Sequence, residues 1–253
     1  FIGEFMSSDV QETLKTLNLF FKENEIDFWV EAGTALGIYR DNEIMPWDHD
    51  MDVAIWYDQM PELKNFYDFF EPLGFKVIPQ KDFPFLDNII QLRAQNNEKF
   101  MDVDVYLYKE YGEFAYMRWI NTPVGFLAKF KQKLLYSLNA LNYSNKTKWR
   151  IIRGVISETL TSKLFKFYLN IHIKTSYCIF HQFPKEYFKN LTTIKFLGQD
   201  IKISGDTEKY LEHRYGSGWS VKDKTFNQAG KWKKSQARVK LRMNHIPKPI
   251  YYK

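Results

Sequence analysis

The chain has 253 residues, 45% of them hydrophobic and 26% charged, with a formal net charge of +6. That length can bury an ample core in one large domain or in a domain with an elaboration. A single cysteine, Cys178, and five scattered histidines exclude an internal disulfide and a zinc knuckle, and suit a reducing, cytosolic compartment. The longest apolar runs fall short of the roughly 18 residues that a membrane-spanning helix needs, so none is expected. Residues 1–5 precede Met6, which reads as a natural start, and are expected to be an expression scar. The polar, acidic stretch after Met6 does not read as a signal peptide.

Charge is spread unevenly. Residues 118–174 hold 11 Lys and Arg against one acid, Glu158, and residues 222–253 hold 10 against Asp223 alone. The remainder keeps 15 basic and 28 acidic residues. An acidic body thus carries two basic segments, a pattern that suits contact with phosphate groups, an anionic membrane surface or nucleic acid.

In chain order, Val10, Leu14, Leu17, Leu19, Phe20 and Phe21 predict a helix over residues 9–25, capped by Ser8 or Asp9. Residues 26–31 read as a short buried strand ending at Gly33-Thr34, and 35–39 as a short helix. Residues 51–56 form the next expected strand. A helix follows over 61–72, with Pro61 near its first turn. Residues 75–78, 89–94 and 101–108 read as strands, with Asn96-Asn97 as a turn before the last. Beyond Pro123 two basic amphipathic helices are expected, 126–141 and 149–169, parted by the polar residues 142–148. Residues 196–203 fit a hairpin around Gly198. Residues 207–215 fit a short helix capped by Asp206 and stopped by Gly216. From Ser220 the chain is polar and basic, and no repeat or low-complexity tract is present.

The sharpest feature is Trp47-Asp48-His49-Asp50-Met51-Asp52-Val53. On a strand these three aspartates share one face, because side chains alternate. Like charges so placed repel, and a half-buried strand tolerates them only with a partner. A hard divalent cation, held by carboxylate oxygens, resolves the conflict. Met101-Asp102-Val103-Asp104-Val105 repeats the arrangement, so Asp104 or Asp102 completes the same site if the strands are neighbours. An isolated Asp-x-Asp is more often a loop cap or a solvated edge. Here the acids interrupt an otherwise apolar strand, which such a role does not explain.

A second feature is Glu31-Ala32-Gly33-Thr34-Ala35-Leu36-Gly37-Ile38-Tyr39-Arg40. A strand running through Gly-Thr into a helix offers backbone N–H groups and a hydroxyl to a phosphate, with Gly33 permitting close approach. A plain strand-to-helix turn is the alternative. The acids some fifteen residues later favour the phosphate corner, since diphosphate chemistry needs both parts.

The stretch from Gly33-Thr34-Ala35-Leu36-Gly37 through Arg40 to Ile44-Met45-Pro46-Trp47-Asp48-His49-Asp50-Met51-Asp52 resembles the LicD/fukutin family. Asp102-Val103-Asp104-Val105 resembles that family's following strand, and Tyr210-Leu211-Glu212…Arg214-Tyr215-Gly216…Trp219 resembles a late element of its bacterial members. The likeness covers about residues 25–120 and 195–220. His49 departs from the acid or tyrosine usual at its position, and the family's cysteine zinc site has no counterpart.

The resemblance implies an α+β chain with a nucleotidyltransferase core like that of DNA polymerase beta, a mixed sheet and a helical elaboration. The expected division is 6–120 as catalytic core, 121–190 as basic helical insertion and 191–253 as a C-terminal segment packing back on the core. Carried over by position, Asp50, Asp52 and Asp104 hold Mg²⁺ or Mn²⁺ and are the catalytic acids, with Asp48 an extra upstream acid. Gly33 and Thr34 form the phosphate corner, and Arg40 is a further phosphate or carboxylate partner. The implied reaction is a metal-dependent transfer of a phosphorylated group, such as ribitol phosphate or phosphocholine, from a CDP-activated donor. The acceptor is a glycan or lipid-linked saccharide, and the product a phosphodiester in surface glycan synthesis. Alternatives are a nucleotide-sugar glycosyltransferase, a nucleotidyltransferase acting on a sugar or small molecule, and a non-enzymatic basic surface-binding module. The last gives no reason for the acids, and no nucleic acid partner is expected.

The basic segments suggest a location. Phe126, Phe130, Leu134, Leu135, Leu138 and Leu141 are interleaved with Lys129, Lys131 and Lys133. Such a helix either lies on an anionic membrane or turns its apolar face to the core and its lysines to water. The expectation is a cytoplasmic protein held peripherally at the inner face of the membrane.

Overall fold

Helix α1 (Ile2–Glu23) turns one stripe inward: Val10, Leu14, Leu17, Phe20 and Phe21 are buried, at the spacing of a single helical face. It starts well before Ser8 and Asp9, which lie inside it and so do not cap it. The Asp9 carboxylate instead accepts the Val10 N–H at 2.7 Å. This computed structural model describes residues 2–79, 89–96, 99–120, 126–143, 158–175, 177–222, 236–242 and 245. The chain forms two compact units. The first comprises Phe1–Lys81, Leu86–Met117 and His181–Arg238. The second comprises Asp82–Phe85, Arg118–Phe180 and Val239–Lys253.

The first unit is built on a mixed sheet. Strand β1 (Phe28–Val30) pairs antiparallel with β2 (Asp50–Trp56), and β2 pairs in parallel with β5 (Asp102–Tyr111). β5 is antiparallel to β4 (Ile89–Ala94), which is antiparallel to β3 (Phe75–Pro79). Parallel neighbours require a crossover, and here α3 (Leu63–Phe70) and the β3–β4 hairpin intervene. The helices pack on the sheet mainly through aromatic rings. Phe20 meets Phe66 and Phe70 on α3 at 4.7 Å, Phe21 stacks on Phe28 at 4.6 Å, and Phe70 meets Phe75 at 5.6 Å.

Helix α2 (Ala32–Asp41) follows β1 directly, so Gly33 and Thr34 lie in its first turn and not ahead of it. The expected strands at 51–56, 75–78, 89–94 and 101–108 all form. β6 (Phe114–Ile120), the hairpin partner of β5, and β7 (Tyr177–Pro184) lie outside the expected elements. Both are aromatic-rich and lack the apolar-polar alternation that marks a half-buried strand. After β7 come α6 (Glu186–Lys189), the hairpin of β8 (Thr192–Phe196) and β9 (Gln199–Ile203), and α7 (Thr207–Tyr215). The hairpin turns at Leu197-Gly198, as expected. Gly216 ends α7 at φ +87, a value that favours glycine. Asp206 stands at the cap position without making a capping hydrogen bond, and its carboxylate binds Lys209 at 2.7 Å.

The second unit contains α4 (Phe126–Tyr143) and α5 (Glu158–Thr175), which pack on one another. Residues 144–157, which include the expected break and the start of the expected second helix, lie outside the described residues. The division after Met117 and Phe180 precedes the expected boundaries at 120 and 190. Residues after Arg238 group with the helices. In β10 (Arg238–Arg242), Lys240 and Arg242 each lie 5.3 Å from the Tyr177 ring, and Arg242 donates to the Lys174 carbonyl at 3.2 Å.

A buried ion pair ties the late elements of the first unit to its start. Arg214 on α7 donates to Glu31 Oε1 at 2.6 Å with both side chains fully buried. The same carboxylate accepts the hydroxyls of Tyr108 at 2.8 Å and Tyr210 at 2.7 Å, and the Trp29 indole N–H at 3.3 Å. A buried charge is tolerated when paired and fully hydrogen-bonded, and removing one partner strands the other. Glu31→Ala is therefore expected to cost about 3–5 kcal/mol, read as a lowered denaturant midpoint. A loss below about 1 kcal/mol would show that water or another group replaces the carboxylate.

Candidate active site

The parallel register sets Asp50 beside Asp102 and Asp52 beside Asp104. Because strand side chains alternate, four carboxylates share one face, while Met51, Val53, Val103 and Val105 are buried on the other. Carboxylate oxygens of Asp50, Asp52 and Asp104 all lie within 4.8 Å of one another. Asp52 and Asp104 are buried and Asp50 is half-buried. Burial pushes the Asp52 pKa well above the usual carboxylate range; Asp50, Asp48 and Asp104 push it further, and Arg214 opposes them. A carboxylate in that position is neutralised by a proton or by a cation. Three converging carboxylates and no sulfur or nitrogen donor suit a hard ion such as Mg²⁺ or Mn²⁺.

Strand β4 supplies two residues that the sequence reading missed. Arg93 Nη2 lies 2.6 Å from Asp104 Oδ1, and Gln91 Nε2 donates to the same oxygen at 3.1 Å. Asp102 is turned toward that edge, accepting the Ala94 N–H at 2.8 Å and pairing with Arg93 at 3.5 Å. This explains why Asp104, and not Asp102, converges with β2. The signal was present in Ile89-Ile90-Gln91-Leu92-Arg93-Ala94, where two polar residues two apart interrupt an apolar strand.

The start of α2 is locked to the acids through backbone. Glu31 N–H donates to the Asp52 carbonyl at 2.9 Å, and Asp52 N–H donates to Thr34 Oγ1 at 2.8 Å. Thr34 is fully buried, so its hydroxyl fixes the height of β2. Ala32 sits at φ +49, a conformation costing about 1 kcal/mol for a residue with a Cβ. Its N–H donates to the Tyr210 hydroxyl at 3.0 Å. Gly33 makes room for Asp48: a Cβ there would stand 2.5 Å from Asp48 Oδ2. The close approach expected of a phosphate is thus made by a carboxylate. Asp48 is buried, and Oδ2 has no hydrogen-bond partner among the described residues. Burial first, then Asp50, raises its pKa to about 7, against a small opposing effect of His49.

The model of the LicD/FKTN/FKRP nucleotidyltransferase domain matches residues 25–147, which contain every one of these acids and Arg93. The matched segment belongs to the LicD family. An uncharacterised protein of Rickettsia typhi is 24% identical to the chain over 144 residues, 57% of this chain and 42% of the relative. One of Rickettsia prowazekii is 29% identical over 106 residues, 42% of this chain and 35% of the relative. The chain therefore spans less than half the length of these relatives. Among solved structures, the lincosamide antibiotic adenylyltransferase LnuA with lincomycin bound gives a TM-score of 0.41 at 11% identity, over 90% of this chain and 99% of that one. ANT(2'')-Ia in complex with adenylyl-2''-tobramycin gives 0.30 at 12% identity, over 63% and 96%.

Arg40 lies apart from the acids of the LicD domain, near the end of α2. It pairs with Asp41 at 2.7 Å and donates to the Trp219 carbonyl at 3.2 Å. There it helps line a cavity of about 270 Å³ with Leu36, Trp47, Tyr215 and Trp219. Of its lining residues, Trp47 directly precedes Asp48 in the chain.

The raised pKa values give a sign for stability. Asp48 and Asp52 bind protons more tightly folded than unfolded, so the cation-free protein loses stability as pH rises from about 4. For Asp48 the loss ends near pH 7. Without divalent cation at neutral pH, Asp52→Asn is expected to raise Tm by about 2–4 °C, the shift for roughly 1 kcal/mol in a chain of this size. Mn²⁺ should raise the Tm of the wild type, increasingly at higher pH, but not that of the variant. Equal Mn²⁺ stabilisation of both proteins would place the cation elsewhere.

Proposed function

We propose that this chain transfers a phosphorylated small group, such as ribitol phosphate or phosphocholine, from a CDP-activated donor to a glycan or lipid-linked saccharide, in the cytoplasm. The observation that carries the proposal is the convergence of Asp50, Asp52 and Asp104 within 4.8 Å on a LicD-family domain. In the reaction an acceptor hydroxyl forms a new P–O bond, the bond to the leaving CMP breaks, and the hydroxyl proton is taken up by a base.

Mg²⁺ or Mn²⁺ held by the three aspartates would neutralise charge building on the donor diphosphate. Asp104, buried and oriented by Arg93 and Gln91, is the proposed base. Gly33 and Thr34 serve by position: one admits Asp48 and the other sets the height of Asp52. Arg40 holds the wall of the cavity lined by Trp47 and Tyr215 against the Trp219 loop, and that cavity is the proposed resting place of the donor nucleoside or the acceptor. The matching domain description also supports transfer of the nucleotide itself, a second reading that uses the same acids.

Incubation with Mg²⁺ or Mn²⁺ and a panel of CDP-linked donors should release CMP, and phosphorus NMR should show a phosphodiester product. A nucleotidylated product would select the second reading. Asp50→Asn and Asp52→Asn should each lower turnover roughly a thousandfold or more. Near-normal rates in either variant would remove that residue from the site. Asp104→Ala is expected to abolish transfer while donor binding persists, and Asp102→Ala to do less. The reverse order of severity would move the third carboxylate to Asp102.

A further inference from the structure

The two described helices of the second unit each bury some large apolar side chains and expose others. On α5, Phe165, Leu169 and Ile173 are buried, whereas Leu160, Leu164 and Phe167 are 51%, 38% and 59% exposed. Those three lie at i, i+4 and i+7, along one helical face. On α4, Leu135 and Leu138 are buried, whereas Phe126, Leu127 and Phe130 are 87%, 63% and 58% exposed. A scattered exposed leucine needs no explanation. Six large apolar side chains on two packed helices do, because an exposed apolar patch of this kind marks a surface with a partner.

The charges beside these side chains identify the partner. Lys129 and Lys133 on α4 and Lys163, Lys166 and Lys174 on α5 are exposed. Neither 126–143 nor 159–175 contains a single Asp or Glu. A second copy of the chain fits poorly, since a two-fold interface would set this cationic face against itself. A nucleic acid would satisfy the lysines and leave the phenylalanines and leucines in water. A bilayer with anionic headgroups satisfies both, taking apolar side chains below the headgroups and lysines at their level.

We propose that the exposed faces of α4 and α5 form a peripheral docking surface for an anionic membrane, with Phe126, Phe130, Leu164 and Phe167 entering the lipid and the flanking lysines meeting the headgroups. The surface stands or falls independently of the transfer reaction. It goes beyond the sequence expectation by separating the two roles of the apolar residues: Leu135 and Leu138 are core, whereas Phe126 and Phe130 face outward.

Co-sedimentation of the whole chain with phosphatidylcholine vesicles, with and without phosphatidylglycerol, tests this directly. Binding is expected only with phosphatidylglycerol, and raised salt should weaken it. Phe130→Ser with Phe167→Ser, and separately Lys129→Glu with Lys133→Glu, should each weaken partitioning by about tenfold or more. Unchanged melting curves are expected for both, because all four positions are exposed. Equal binding to both vesicle types, no binding to either, or full binding by both variants would overturn the proposal. A lipid-free dimer that Phe130→Ser with Phe167→Ser converts to monomer would overturn it too, making the face a self-interface.

Discussion

Aspartates two apart on β2 meet aspartates two apart on β5, and the parallel register gives them no room to separate. At 4.8 Å and an effective dielectric near 20, two unit charges repel by about 3–4 kcal/mol. Much of the first unit can be understood as holding that repulsion in place. From β4, Arg93 pairs with Asp104 and Gln91 helps to orient it. The α2 backbone fixes Asp52 at both its carbonyl and its amide. Burial, and then the neighbouring carboxylates, raise the pKa of Asp52, because Arg214 alone does not offset them. Strain of this kind persists at functional sites when the surroundings overdetermine it.

The Glu31–Arg214 pair shows how the fold supplies that determination from far along the chain. Glu31 is the single residue between β1 and α2, while Arg214 and Tyr210 belong to α7. The late Tyr210…Arg214 motif therefore supports the site without contributing a carboxylate to it. Its guanidinium holds Glu31 and lends positive potential to Asp52, and Tyr210 satisfies the strained Ala32 N–H. A merely structural ion pair would not need to sit at the junction that positions both α2 and β2.

Some of this was legible in the sequence and some was not, for physical reasons. Asp50, Asp52 and Asp104 could be read because the two-residue period of a strand is local, and their pairing needed only neighbouring strands. The choice between Asp102 and Asp104 could not be read, because it depends on which one Arg93 and Ala94 draw toward β4. Gly33 was read as the point where a phosphate comes close, whereas the group above it is Asp48, fifteen residues further on: nothing in a strand-helix motif says which group fills the space above a glycine. The start of α1 was misplaced because Ser8 and Asp9 are good caps in isolation, whereas the helix continues through them. β6 and β7 escaped notice because strands rich in aromatic residues lose the alternation that would reveal them.

The most direct test is the location of a divalent cation. Crystals soaked in Mn²⁺ should show an anomalous peak bounded by carboxylate oxygens of Asp50, Asp52 and Asp104. Asp52→Asn crystals under the same conditions should lose it. A saturating soak that leaves these three carboxylates without Mn²⁺, or that places the ion only at other acids, would contradict the assignment of this face as a cation-dependent transfer site.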